Sequence, residues 1–517
     1  MTWLTRLNPT PIFPSYTGPY KVGSVDVEIP TSQLDSPSDP PCTTLPTVAF
    51  RIFYPATEQS SQKGVRWLPN PQREYIGAYA RFLGAGSALS QVFSMLPQIL
   101  YYISIPVHHN ADILEPPTKS KRWPVMVFSH GLGGSRNAYS HICGSLASHG
   151  LVVVAPDHRD GSSPISFVNT PEDKERVKRV EYKKLAHSAS TEVYEGRDEQ
   201  LRTRLQELAL IHDALLKIDE RIPLKNVAEG QQKSGVKNML TMFAQRLDVH
   251  EPGAISWAGH SFGAATTVQL VKSVYYRPET DQRDFKPLLT PSKNSSIVRQ
   301  ITPASPVVLL DLWTLPIQSP ATAWLRSKPM PCYQSSTGGS NLLAILSEAF
   351  YKWSSNLENT KRILRKPSTS DSGHPSQPDP HIFYPVSSAH LSQSDFGVLF
   401  PWVTTKVFGA KEPERVLKLN TRAILQLLRN AGIVVANTSA SDMELEDTQG
   451  LENGVVHDEK ILESKEGSVR DWISLNSEPT KGRMLTTEKS PEDAVLEGEG
   501  LGQVISHEER ENERSNI

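Results

Sequence analysis

The chain has 517 residues, 38% hydrophobic and 21% charged, with 9 Trp, 15 Tyr and 15 Phe, a composition that excludes a mostly disordered, collagenous or disulfide-scaffold protein. Three widely spaced cysteines, Cys42, Cys143 and Cys332, without a CxxC pair or a His-rich tract, exclude a structural zinc site by spacing and point to a reducing compartment. The net charge of -2 conceals 20 Asp/Glu against 8 Lys/Arg in residues 436–517, so a body of about +10 carries a tail of -12.

The N-terminus, MTWLTRLNPTPIFPSY, meets prolines early and builds no apolar h-region of a secretory signal, so a cytoplasmic protein is expected. In chain order, the β-branched and aromatic runs 46–55, 124–128, 151–155, 254–258 and 306–310 predict strands. Their short, continuous apolar character suits burial on both faces. Residues 195–218 predict a helix with Leu201, Leu205, Leu208, Leu215 and Leu216 on one side and charges elsewhere. Proline and small polar residues predict loops at 31–44, 278–306 and 366–385. The alternation implies an α/β fold with a mostly parallel sheet flanked by helices. Residues 1–435 are expected to form the catalytic domain, and the acidic tail 436–517, with Trp472 its only aromatic, a disordered segment that adds nothing to the core.

Gly259-His260-Ser261-Phe262-Gly263 follows an apolar strand and precedes the helical run AATTVQLVKSVYY. Such a strand-to-helix elbow needs glycine on both sides, because side chains there would collide with neighbouring backbone, and it lifts the Ser hydroxyl above the sheet. Ser261 is therefore the candidate nucleophile. His130-Gly131-Leu132-Gly133-Gly134 leaves the strand at 124–128, and acyl transfer needs two N–H donors aimed at the developing oxyanion, one after the nucleophile and one on an HG-type loop. Those donors would be Phe262 and Leu132.

The remaining partners should follow in the order Ser, Asp/Glu, His. Asp311 stands at the end of an apolar strand, whereas Asp281 and Asp284 sit in a polar loop. His374, His381 and His390 are the candidate bases; the first two lie in a proline-rich loop, and His390, in SSAHLSQSDF, is favoured by position.

With TGPYKVGSVDVEI, FSHGLGGSRNAYSHICGSLASHGLVVVAPDHRDGSS, RDEQLRTRLQEL, GHSFGAATTVQL, LLDLWTLP and AHLSQSDF in this order, the chain resembles the plasma-type platelet-activating factor acetylhydrolases, the lipoprotein-associated phospholipase A2 family, over roughly residues 17–410. The resemblance implies an α/β-hydrolase fold with Ser261 as nucleophile, Asp311 as acid, His390 as base, and Leu132 and Phe262 in the oxyanion hole. It implies hydrolysis of acetyl, short or oxidised acyl chains at the sn-2 position of phospholipids, without calcium, metal or cofactor. Against the family pattern, residues 274–305, 334–385 and the acidic tail read as insertions. A general carboxylesterase or lipase, or an idle hydrolase fold used as a scaffold, are the alternatives.

Residues 82–111 contain no Asp, Glu, Lys or Arg. Within them Ser87, Gln91, Ser94 and Gln98 recur at helical spacing opposite Leu89, Val92, Phe93, Leu96, Leu100 and Ile103, an amphipathic pattern rather than a span. Peripheral membrane contact through residues 82–106 is one expectation and core packing the other. Basic residues near Lys174–Lys184 alternate with acids and lack an aromatic platform, so nucleic acid is not an expected partner.

Overall fold

The structure, a computed structural model, describes residues 10–38, 45–58, 64–84, 98–169, 177–228, 238–277, 285–367, 377–443, 458–463 and 469–479. Nine of its strands carry the argument: β1 Lys21–Pro30, β2 Thr47–Ala56, β3 Trp123–Ser129, β4 Val152–Pro156, β5 Ser256–His260, β6 Val307–Leu310, β7 Leu342–Ile345, β8 His381–Pro385 and β9 Trp472–Ser474. They lie side by side in the order β1-β2-β4-β3-β5-β6-β7-β8-β9, and two-residue strands at His108–His109 and Leu247–Asp248 join β1 and β3. From β4 to β8 every pairing is parallel; β1–β2, β2–β4 and β8–β9 are antiparallel. The result is an α/β-hydrolase sheet.

Helices α1 Gln72–Phe82, α2 Ser140–Ser148, α3 Thr191–Asp219, α4 Phe262–Tyr276, α5 Ser354–Leu364 and α6 Pro413–Asn430 cover it. Apolar residues of α3 and α4 pack into the core on one face, and those of α2 and α6 on the other. Burial on both sides explains why the middle strands read as unbroken apolar runs rather than alternating ones. Helix α3 starts four residues before the expected boundary, because the Ser190 hydroxyl accepts the Val193 N–H and caps it.

Four of these nine strands escape the sequence reading. In β1 the polar Asp26 and Glu28 interrupt the apolar run, and each answers a buried guanidinium, Arg51 at 2.8 Å and Arg159 at 2.8 Å. β7 and β8 fall in residues 334–385, which the sequence assigns to an insertion and a loop. That assignment is corrected: Leu342–Ile345 is fully buried beside β6, and Ile382 and Phe383 fill the next position despite the flanking prolines. α5 lies in the same interval.

β9 corrects the expectation that 436–517 adds nothing to the core. Trp472 stacks on Phe383 with ring centroids 5.2 Å apart and donates its indole N–H to the Ile461 carbonyl at 2.8 Å. Ile461, Val469 and Trp472 are buried. A composition average over 82 mostly polar residues hides a few apolar side chains that cap a sheet edge.

The described ends of the 82–106 segment do not continue one amphipathic helix. α1 stops at Phe82, Gln98–Tyr102 is a 3-10 turn, and Ser104–Ile105 pairs with Val65–Arg66, burying Ile103 and Ile105. Phe93 and Leu96 lie outside the described residues. No helix among the described residues is long and apolar enough to cross a membrane.

Trp472→Ala should lower unfolding free energy by about 3–5 kcal/mol, the usual loss for a buried Trp. Truncation after Val435, which removes the whole edge, should lower the melting temperature at least as far. A melt unchanged by either would show that β9 does not pack.

Candidate active site

The parallel register brings four strand ends together. Gly259 is level with Ser129 and Leu309, His260 with Leu310, and Leu310 with Ile345. Segments leaving the carboxyl ends of β3, β5, β6 and β8 carry the residues singled out by sequence.

At the end of β5 the chain turns sharply. Ser261 has φ 56° and ψ -116°, an arrangement that costs a non-glycine residue of order 1–3 kcal/mol. Surrounding contacts impose it. The Ser261 N–H donates to the Leu310 carbonyl at 2.8 Å, and its own carbonyl accepts the Ala265 N–H at 3.1 Å. A Cβ on Gly259 would stand 2.3 Å from the Gly263 oxygen, and one on Gly263 would stand 2.0 Å from the Ser129 oxygen. Both glycines are therefore steric requirements of the turn.

Asp311, at φ 44° just past β6, is fully buried. One carboxylate oxygen accepts the Ser347 N–H and the other lies 2.8 Å from His390 Nδ1. His390 comes from a short 3-10 turn after β8, is 7% exposed, and stacks on Phe350 with ring centroids 4.5 Å apart. Since Asp311 holds Nδ1, a base at His390 must act through Nε2. The structure thus brings Asp311 and His390 together at the edge where Ser261 turns.

His381 lies elsewhere: it pairs with Leu343, two residues before Phe383, which is level with Ile345, so it sits back along β8 rather than beyond its carboxyl end. His374, Asp281 and Asp284 lie outside the described residues.

The loop after β3 is pinned around Leu132. The Gly131 N–H donates to Tyr139 Oη at 3.1 Å, the Gly133 N–H to the Ser162 carbonyl at 2.8 Å, and Gly133 adopts φ +71°. No acceptor among the described residues meets the Leu132 N–H. Phe262 opens α4, so its N–H is one of the four that a helix start leaves without an intrahelical partner. The Leu132 amide, on the loop after β3, and the Phe262 amide, next to Ser261 in the chain, are thus both without a backbone acceptor among the described residues.

Two further residues had no sequence signal beyond position. His260, inside the elbow motif, is buried with its ring 4.3 Å from that of His390 and its Nε2 3.9 Å from the Asp311 carboxylate. Its Nδ1 is 2.7 Å from Tyr139 Oη. That oxygen also accepts the Gly131 N–H, so Tyr139 ties the loop after β3 to the ring beside Ser261. Burial, with the neighbouring His390 adding to it, holds the His260 pKa well below the ordinary imidazole value, so it is a neutral neighbour.

His260, Asp311 and His390 present one ligand atom each within 4.8 Å, a set that could hold a metal by composition. The hydrogen bond between His390 Nδ1 and Asp311 uses two of those atoms, and it fits an acid orienting a base.

Comparison with known proteins adds the family. The model of the family described as platelet-activating factor acetylhydrolase, isoform II, matches residues 6–449. A putative phospholipase A2 of Schizosaccharomyces pombe is 29% identical over 441 residues, 80% of this chain and 91% of that protein. A platelet-activating factor acetylhydrolase of Cavia porcellus is 30% identical over 259 residues, spanning 50% of this chain and 51% of that one. The solved structure of a ferulic acid esterase from Streptomyces cinnamoneus aligns with a TM-score of 0.43 and 15% identity over 81% of this chain and 93% of that chain.

Gly263→Ala should be poorly tolerated, since its methyl group would drive α4 away from β3. A loss of about 1–3 kcal/mol, the usual range for overpacking, together with a large fall in turnover, is the expected result. Near-wild-type melting and turnover would mean that the turn relaxes freely.

Proposed function

The chain belongs to the platelet-activating factor acetylhydrolase, isoform II, family, and from that premise we propose that it is a serine-dependent phospholipid ester hydrolase that cleaves an acetyl, short or oxidised acyl group from the sn-2 position. The observation that carries the reading is the 2.8 Å bond from His390 Nδ1 to the fully buried Asp311, at the sheet edge where Ser261 is held in its strained turn.

In this reading His390 Nε2 takes the Ser261 proton as Oγ attacks the sn-2 carbonyl carbon. The carbonyl oxygen becomes an oxyanion facing the Leu132 and Phe262 N–H groups. The imidazolium, stabilised by Asp311, returns its proton to the departing glycerol oxygen, releasing lysophospholipid and leaving an acyl-serine. Water, deprotonated by the same imidazole, then attacks the acyl carbon, the Ser261–acyl bond breaks, and the carboxylate departs as Ser261 recovers its proton.

Every charge that develops in this cycle is met by a side chain or amide already named, which supports turnover without calcium. Because such substrates reside in lipid aggregates, peripheral contact through the 82–106 segment belongs to the same proposal. Leu83 at 38% and Tyr102 at 60% exposure flank its central part, and Trp402 at 67% is a further exposed apolar side chain.

Ser261→Ala should abolish ester hydrolysis with folding retained, and Asp311→Asn should reduce turnover by about 10⁴-fold through loss of imidazole orientation. EDTA should leave the wild type unchanged. A phospholipid with an sn-2 acetyl group should be preferred over a soluble aryl ester; the reverse preference would favour a general carboxylesterase, and full activity in Ser261→Ala would remove Ser261 from the mechanism.

With His260 held neutral, the fall in kcat/KM on acidification should report a single imidazole. The rate gained by deprotonating His390 should disappear with unit slope as pH drops below its pKa. A slope of two would show that His260 titrates as well.

A further inference from the structure

The two amides offered to the oxyanion belong to separate elements, the loop after β3 and the start of α4. One side chain from a third element touches both. Arg204, on α3, is fully buried, donates through Nε to Asp160 Oδ2 at 2.7 Å, and forms an ion pair in which neither side chain is exposed. One terminal nitrogen donates to the His130 carbonyl at 2.8 Å and the other to Ser162 Oγ at 2.6 Å. The guanidinium carbon stands 4.3 Å from the centroid of the Phe262 ring.

Asp160 closes the circuit. Its Oδ1 accepts both the N–H of Ser162, at 3.1 Å, and the Ser162 hydroxyl, while the Ser162 carbonyl receives the Gly133 N–H at 2.8 Å. Leu132 is therefore bracketed: the residue two before it and the residue after it both lead to Arg204. On the other side, the ring of Phe262 lies against the same guanidinium. Burial alone would raise the Asp160 pKa, yet Arg204 and the Ser162 hydroxyl hold it below the usual carboxylate value, so the pair is charged.

A second buried chain secures the end of β3: Ser129 Oγ is 2.8 Å from His158 Nε2, and His158 Nδ1 is 2.6 Å from Glu207. It has the composition of a nucleophile, base and acid. At 1%, 0% and 2% exposure its members are closed to substrate, and the His158 backbone N–H donates to His130 Nε2 at 3.1 Å. This chain therefore supports the loop sterically and is not a second active site.

We propose that Arg204 is a positioning residue for the oxyanion hole, fixing the Leu132 and Phe262 amides relative to each other through His130, the Asp160–Ser162–Gly133 link and the Phe262 ring. The inference rests on reading Ser261 as the nucleophile. Its physical basis is that oxyanion stabilisation depends on donors fixed in advance to within a fraction of an ångström. A planar fork with fixed donor directions can hold three partners and a ring face at once, which a lysine ammonium cannot reproduce.

The test is Arg204→Lys, assayed for kcat, KM and affinity for two phospholipid analogues. One is a trifluoromethyl ketone, which forms an oxyanionic adduct with an activated serine; the other is an unreactive ether. The expected result is a fall in kcat of about 10²-fold or more, the range seen when an oxyanion donor is lost. Affinity for the ketone should fall in parallel, while KM and ether affinity change little.

Ser162→Ala, which keeps the Arg204–Asp160 pair and removes a hydroxyl of the link, should show the same pattern with a smaller loss. It serves as the deciding variant if Arg204→Lys does not melt cooperatively. Wild-type kcat in a folded Arg204→Lys, or unchanged ketone affinity despite a fall in kcat, overturns the proposal. So does equal loss of ketone and ether affinity, which is what a general structural defect would produce. Failure of the nucleophile reading is separately visible, because Ser261→Ala would then still hydrolyse the ester and form the ketone adduct.

Discussion

The turn at Ser261 sets what the rest of the sheet must supply. A non-glycine residue at φ 56° persists only where its surroundings over-determine it, and here β3, β5, β6 and α4 meet so tightly that neither Gly259 nor Gly263 has room for a methyl group. The same parallel register that forces this contact aligns Leu310 with Ile345, and so brings Asp311 to the Ile345 carbonyl and the Ser347 amide. Asp311 in turn fixes the His390 ring. Position in the sheet and the chemistry of the site are thus consequences of one packing arrangement.

Charge inside this fold works as fastening. Arg51 with Asp26, Arg159 with Glu28, and Arg204 with Asp160 are largely buried pairs that join β1, β2, α3 and the loop after β4. Removing a charge from water is costly, and such pairs persist where additional hydrogen bonds satisfy both partners, as Asn137 does for Arg51 and Thr47 for Arg159. Replacing one member would leave its partner buried without a counter-charge. These pairs also specify geometry, since a planar guanidinium restricts where each carboxylate and carbonyl can lie.

The middle of the sheet was legible in the sequence because β2 to β6 are buried on both faces and read as apolar runs. Ser261, Asp311 and His390 could be singled out because each follows a recognisable strand end or motif; the structure places Asp311 and His390 2.8 Å apart, and their catalytic roles belong to the proposal. The edges were less legible. β1 carries buried carboxylates, β7 is four residues long, β8 lies between prolines, and β9 is surrounded by acidic sequence. In α3 the leucine stripe was correct, yet Arg197, Arg204 and Glu207 are buried too. A period of 3.6 distinguishes apolar from polar positions and cannot reveal which polar positions meet a partner inside the protein. Tyr139 and His260 escaped for the same reason, their roles being set by contacts between residues 121 positions apart.

The central claim is that Ser261 is an activated nucleophile, and the most direct measurement is covalent labelling by an organophosphonate followed by mass spectrometry of the Ser261 peptide. Stoichiometric modification of Ser261, with labelling slowed severely in His390→Ala, is the predicted result. An intact protein that stays unlabelled, or that carries the label on a different serine, would contradict the account.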